Sequence, residues 1–279
     1  VIVIGIDGLG SDALQAASTP NLDALIASGT ASMAAFAGGV PGTPTEQPTL
    51  SGPGWTSVLT GVWRDKHGVS DNSFAGERLA EFPHVFARIR EAKPSAKVGS
   101  FVSWGPLNAV LLRGVAVDRA FHATASESRD RDAEVVASAS EYLRTANPTA
   151  VFVHLGDVDH AGHTLGFQPD NDGYRAAIER ADARVGRLAA AMRARPNYGN
   201  EAWLVVVVSD HGGVDTRHGG QRPRERHVPL IVSGHGVGAW GKVDVAPGLT
   251  AVVPTVLGHL QVPIDPALHA TNPTSSNAE

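Results

Sequence analysis

Five stretches of the chain are apolar over the length of a strand: Val1 to Ile6, Val98 to Val102, Ala150 to Leu155, Trp203 to Val208 and Leu230 to Val232. Their hydrophobicity is nearly continuous rather than alternating, the pattern of strands buried on both faces. Between them lie Pro20 to Ser28, Pro83 to Glu91, Asp132 to Arg144 and Asp172 to Arg193, whose apolar residues recur three and four apart, as on one face of a helix. The first of these has Thr19 in place as N-cap, Pro20 at the first helical position and Gly29 just past the end. Strands alternating with helices predict an α/β fold with a mostly parallel central sheet and helices on both faces. No internal repeat is visible, and only residues 271–279, TNPTSSNAE, read as a polar tail, leaving 1–270 as a single domain.

In such folds ligands gather beyond the carboxyl ends of the strands, where the loops converge. Here one strand ends at Asp7 in GIDG, another runs into GDVDHAGH and a third into SDHGG. A single aspartate after a strand is most often a cap or turn residue. Three strands that each bring an aspartate to one edge, two of them with histidines, are not explained by capping. Asp159 and His163 are four apart, so both reach one point if the segment turns, while Asp210 and His211 are adjacent and His218 follows in RHGG. With Asp7 and the hydroxyl of Ser51 these make seven candidate ligands, enough for two metal sites of three or four each.

Composition narrows the chemistry. The chain has no cysteine, so any metal is held by His, Asp, Glu and hydroxyl groups. Its 279 residues, 42% hydrophobic and 18% charged, are enough for a large buried core. A net charge of -5, with arginines dense only from Arg222 to Arg226, excludes a nucleic-acid binder of the basic-patch kind. No apolar stretch approaches the roughly 20 residues that span a bilayer. The chain opens directly on VIVIGID without an initiator Met or a charged leader, so the expectation is that a natural N-terminus has been removed, with room for an export signal in what was lost and a cytoplasmic protein as the alternative. The compartment and the oligomeric state stay open.

IGIDG, STPNLDALIASG, PTLSGPGWTSVLTG followed by HGVSDN, DVDHAGH, SDHGG and RHGG, in that order, resemble the alkaline phosphatase superfamily and, within it, the type I phosphodiesterase/nucleotide pyrophosphatase branch. The resemblance runs from Val1 to about Gly234. It implies an alkaline-phosphatase-like fold around a two-zinc site, which other divalent metals could also fill. By that similarity Asp7, Ser51, Asp210 and His211 hold one zinc, and Asp159, His163 and His218 the other. Ser51 is the implied nucleophile, where the branch commonly has Thr. Asn72 in HGVSDN matches the asparagine that hydrogen-bonds a phosphoryl oxygen. The implied activity is hydrolysis of a small-molecule phosphoric ester by double displacement through a phosphoserine.

Elementary chemistry fits these roles. A serine hydroxyl is a poor nucleophile at neutral pH, and a bound divalent metal favours its alkoxide as it favours hydroxide over water. If Pro53 or Gly54 opens a helix running to Thr60, Ser51 lies near an N-terminus that attracts a phosphoryl group. Among the neighbours, His160 reads as turned away from the ligands, Asp157 as either orienting a ligand histidine or capping a turn, and His67 as bonded to backbone. His227 competes with His218 as last ligand, and Trp55 and Trp104 either pack or flank a substrate pocket. A sulfatase would have arginine where Trp55 stands, and a phosphomutase needs a large inserted domain, whereas only about a hundred residues separate Ser51 from Asp159. The local sequence after Ser51 offers Arg64 and Lys66 only beyond the helix, so diesters are expected over the more highly charged monoesters. A monoesterase on the same site is the alternative activity, and a silent protein binding phosphorylated ligands is the alternative outside catalysis.

Overall fold

The computed structural model describes residues 1–269, so the tail expected at 271–279 lies outside the described residues. Strands β1 (Ile2–Ile6), β2 (Gly29–Phe36), β3 (Val98–Val102), β4 (Arg119–His122), β5 (Ala150–Leu155), β6 (Leu204–Val208), β7 (His227–Gly234) and β8 (Gly241–Lys242) form one sheet in the order β4-β3-β5-β1-β6-β7-β2-β8. Only β7 is reversed, pairing antiparallel with β6 and β2, while every other pair is parallel. The helices are α1 (Ser11–Ala16), α2 (Pro20–Ala27), α3 (Ser51–Thr60), α4 (Arg64–His67), α5 (Val85–Ala92), α6 (Ser128–Thr145), α7 (Asp157–Leu165), α8 (Asp172–Arg193), α9 (Pro223–Arg226) and α10 (Val252–His259). This is the α/β architecture that the hydrophobic pattern predicts.

Both faces of the sheet are covered. Val1 and Val3 pack with Trp55, Leu59, Phe86 and Val253 on one side, while Ile2, Ile4 and Ile6 pack with Leu22, Val135, Ile178 and Val185 on the other. A strand with a core on each face has no polar side to show, which is why β1, β3, β5 and β6 read as continuous apolar runs. The edge strand β4 and the small, mixed residues of β2 carry no such signal, and neither was anticipated. β7 extends beyond the expected Leu230 to Val232 at both ends.

The start of α2 is capped differently from expectation. Thr19 sits at the N-cap but makes no side-chain cap bond. The Asp182 carboxylate of α8 instead accepts from the Asn21 and Leu22 amides at 3.3 and 2.8 Å, so a tertiary contact fills the local role.

On α5 the cap is a histidine. His84 is buried, its Nδ1 accepts from the Phe86 N–H at 3.0 Å, and burial lowers its pKa from 6.5 to about 3. The unfolded chain therefore takes up this proton near pH 6.5 while the native chain refuses it until about pH 3. Stability from His84 is present above the unfolded value and lost as pH falls through this window, at up to about 1.4 kcal/mol per pH unit. His84→Asn, which caps without titrating, is expected to flatten the pH dependence of urea unfolding by about that slope. An unchanged slope would contradict the assignment.

Candidate metal centre

The carboxyl edge of the sheet gathers the polar residues. Asp7 follows β1 directly, and Gly8 then turns with φ 71°, where a Cβ would stand 2.8 Å from the Asp159 Cα. Only glycine allows that turn and that approach. Asp210 and His211 follow β6, and the Gly8 N–H donates to Asp210 Oδ1 at 3.3 Å. Ser51 is itself the first residue of α3, which opens two to three residues earlier than expected. DVDHAGHTL is the helix α7 rather than a turn, so Asp159 and His163, at i and i+4, share one helix face. His218 comes from the loop before α9.

Two groups of ligand atoms converge there. In one, Ser51 Oγ lies 3.4 Å from Asp7 Oδ1 and 3.3 Å from His211 Nε2, and His211 Nε2 lies 3.5 Å from Asp7 Oδ1 and 3.2 Å from Asp210 Oδ2. In the other, His163 Nε2 is 3.4 Å from Asp159 Oδ2, His218 Nε2 is 3.6 Å from Asp159 Oδ1, and the two Nε2 atoms are 3.0 Å apart. The His211 and His218 rings stack at 3.7 Å, which makes the groups adjacent. His227 starts β7, is exposed and pairs with Phe36, and it joins neither group.

Hydrogen bonds on the far side of each ring settle what these nitrogens offer. Nδ1 of His163, His211 and His218 meets the carbonyls of Thr216, Gly212 and Thr49 at 3.0, 2.9 and 2.8 Å. A carbonyl only accepts, so in the neutral ring Nδ1 carries the hydrogen and Nε2 presents a bare lone pair. Asp159 Oδ1 and Asp210 Oδ2 are buried without a hydrogen-bond partner. Lone pairs and orphaned carboxylate oxygens aimed at one another are unfavourable until a cation sits among them. The all-nitrogen-and-oxygen donor set fits a divalent metal.

The electrostatics say the same. Burial pushes the Asp159 and Asp210 carboxyls well above the ordinary value, and the neighbouring charge of Asp7 adds to it. Burial also opposes ionisation of Asp7, but its bond from His154, the nearby His211 and the Trp55 indole together hold it below the carboxylate range. His211 is pushed down to about 3 by burial and by His218. Three carboxylates around neutral imidazoles lack positive charge.

Several residues outside the ligand groups fix this geometry. Asp7 Oδ2 accepts from Trp55 Nε1 and His154 Nε2, each at 2.9 Å, which leaves Oδ1 for Ser51 and His211. His154 Nδ1 then accepts from the Ser103 hydroxyl at 3.0 Å. Trp55 thus packs in the core and also holds a ligand. His154 and Ser103 were missed in the sequence; the available signal was a histidine inside the apolar run AVFVHL. Asp157 neither orients a ligand histidine nor caps a turn. It pairs with Arg180 at 2.9 Å and Arg184 at 3.2 Å of α8, while Asp132 takes the Gly156 and Asp157 amides, so α7 is clamped from below. His67 is buried against the Val69 N–H and Ser57 Oγ, both at 3.0 Å. Asn72 Oδ1 accepts from the Gly52 N–H at 2.7 Å, which leaves its amide hydrogens for the cleft. That cleft, about 250 Å³, is lined by Asp7, Ser51, Asn72, Asp159, His163 and His218, and also by Ser103, Trp104, Ser128, Arg131, His154 and the exposed His160.

The model of the metalloenzyme superfamily matches residues 1–264. The chain belongs to the metalloenzyme superfamily. This is the alkaline-phosphatase-like superfamily that the motifs resemble. Among curated relatives, the phosphopentomutase of Alkaliphilus oremlandii (strain OhILAs) is 26% identical over 123 residues, 44% of this chain and 29% of that protein. The phosphopentomutase of Methylobacterium sp. (strain 4-46) is 36% identical over 110 residues, 39% and 24%. The matched segments of this metalloenzyme thus span about a quarter of the length of these relatives. In fold it is similar to a 2-O GAG sulfatase, with a TM-score of 0.72 and 16% identity over 96% of this chain and 72% of the other. It is also similar to the phosphonate monoester hydrolase of Agrobacterium radiobacter, with a TM-score of 0.67 and 15% identity over 94% and 73%. Family membership and the convergent Asp and His groups together support binding of divalent metal at this edge.

Proposed function

We propose that this metalloenzyme hydrolyses small-molecule phosphoric esters, as a phosphodiesterase or nucleotide pyrophosphatase, passing the phosphoryl group through Ser51 at a two-zinc site. The observation that carries this reading is Ser51 Oγ, within 3.4 Å of both Asp7 Oδ1 and His211 Nε2 at the first residue of a helix. Asp7, Ser51, Asp210 and His211 hold one zinc in this reading, and Asp159, His163 and His218 the other. The metals supply neutralisation of phosphoryl charge and favour the serine alkoxide. Ser51 Oγ attacks phosphorus and the ester oxygen leaves; water then cleaves the phosphoserine and restores the hydroxyl. The N-terminal turn of α3 and the Asn72 amide hydrogens stabilise the charge that develops on the phosphoryl oxygens.

Two local features favour this reading over its rivals. Trp55, where a sulfatase would have arginine, is wholly buried and spends its N–H on Asp7. The segment between Ser51 and Asp159 supplies β3, β4 and β5 to the same sheet, with α5 and α6 as connecting helices, rather than a separate insertion. Lys66 Nζ donates to the Ala267 carbonyl, so this cation after α3 is taken up elsewhere, and Arg131 supplies the guanidinium that lines the cleft. The test is nitrophenol release by the zinc-loaded protein, with bis(4-nitrophenyl) phosphate expected to outpace the monoester. Two bound zinc equivalents without turnover of either would overturn the reading, and a far faster monoester would replace it with the monoesterase.

A further inference from the structure

The cleft has one wall that the ligand groups do not use. It is built by the first turn of α6, whose Ser128 and Arg131 both line the cavity. Arg131 Nη1 donates to the Ala125 and Ser126 carbonyls at 3.1 and 2.7 Å, which anchors the side chain and leaves Nε and Nη2 unbonded. No carboxylate among the described residues pairs with it. Of the nearby acids, Asp132 is committed to Arg184 at 3.3 Å and to two amides, Glu134 to the Thr124 and Ala125 amides, and Asp130 stands beside Arg129 at 3.8 Å, while the Glu127 carboxylate at the N-cap is exposed and pairs with no described cation.

Ser128 is the independent observation. It is 4% exposed, and its Oγ has no hydrogen-bond partner among the described residues although it opens on the cleft. The 18-residue helix behind it has no side-chain cap, and neither the Ser128 nor the Arg129 N–H donates to another described group. A hydroxyl on a buried residue that opens on the cleft, free helix-terminal amides and an anchored guanidinium without a counter-ion are all donors, and each has hydrogens that no described residue accepts. A tetrahedral oxyanion satisfies every one of them, and the planar fork of arginine suits phosphate in particular.

We propose that Ser128, Arg131 and the N-terminal turn of α6 form a second anion subsite, which takes a phosphoryl group of the substrate other than the one attacked by Ser51. The inference rests on the reading of the ligand edge as a phosphoryl-transfer site and names its substrate class: esters that carry a second, terminal phosphate. The sheet order supports the separation. Asp7 and Asp210 follow β1 and β6, whereas the α6 wall adjoins β5 and β3 on the other side.

The test uses α,ω-alkanediol bisphosphates of graded spacer length and the matching alkyl monophosphates, as ligands of the zinc-loaded protein in calorimetry. At the spacer that bridges the two subsites, the bisphosphate is expected to bind on the order of ten- to a hundredfold more tightly than the monophosphate. Arg131→Ala is expected to erase that gain and leave the monophosphate unchanged, Arg131→Lys to keep part of it, and Ser128→Ala to reduce it. Equal binding of both ligands at every spacer overturns the proposal. So does an Arg131→Ala loss shared by both ligands, which would place the arginine on the reacting phosphoryl group. A protein that binds zinc but neither ligand, and cleaves no phosphoric ester, would overturn the functional reading itself.

Discussion

Ser51→Ala is expected to lower phosphodiester turnover by on the order of 10⁵-fold while the protein stays folded. The size follows from the role: without the hydroxyl no phosphoserine forms, and what remains is binding and electrostatic stabilisation by the other groups. The fold tolerates the change because the two contacts of Ser51 Oγ are long, at 3.3 and 3.4 Å, and alanine suits a first helical turn, so unfolding stability is expected to move by only about 1 kcal/mol. On the proposed ligand set, a metal at that position would keep Asp7, Asp210 and His211. Trapping labelled phosphate on wild-type protein by rapid acid quench, and its absence on the alanine variant, distinguishes a lost nucleophile from a disordered cleft. Near-full activity of Ser51→Ala would remove the nucleophile assignment.

The second large effect is on stability, and its sign changes with metal. In the metal-free protein Asp210 is buried and Asp159 half-buried beside Asp7, and burial together with the Asp7 charge raises both carboxyl pKa values, so charging them there is costly. A ligand that binds only the native state adds about 4 kcal/mol per site at a thousandfold excess over its dissociation constant, hence about 7 °C per site for a chain of this length. Asp159→Asn removes one buried carboxylate and one ligand together. Scanning calorimetry is therefore expected to show this variant melting no lower than wild type without metal, but gaining about half as much on adding zinc. A zinc response equal to that of wild type would remove Asp159 from the ligand set.

Legibility in the sequence followed burial. The central strands announced themselves because both their faces are covered, whereas β2, with the mixed residues GTASMAAF, and the exposed edge strand β4 had no pattern to show. Asp7, Asp159, His163, Asp210, His211 and His218 stood out as polar residues just beyond apolar runs. α7 stayed hidden because DVDHAGHTL buries only Asp157, Val158, Ala161 and Gly162, two of them small and one charged, so no apolar stripe marks the helix. Residues that position others were least visible: His154 lies within a strand, Asp182 caps α2 from 160 residues away, and Ser128 and Arg131 look like an ordinary helix start. Their roles exist only through tertiary neighbours, so no local spacing encodes them. The cleft's one arginine likewise comes from α6 rather than from the segment after Ser51.

The proposed chemistry requires two metals at the carboxyl edge of the sheet, one of them on Ser51. Anomalous diffraction at the zinc edge from crystals of the zinc-loaded protein tests this directly. It predicts two peaks, one bonded to Asp7, Ser51, Asp210 and His211 and one bonded to Asp159, His163 and His218. No peak among these side chains, or peaks that leave Ser51 and His211 without a metal, would contradict it.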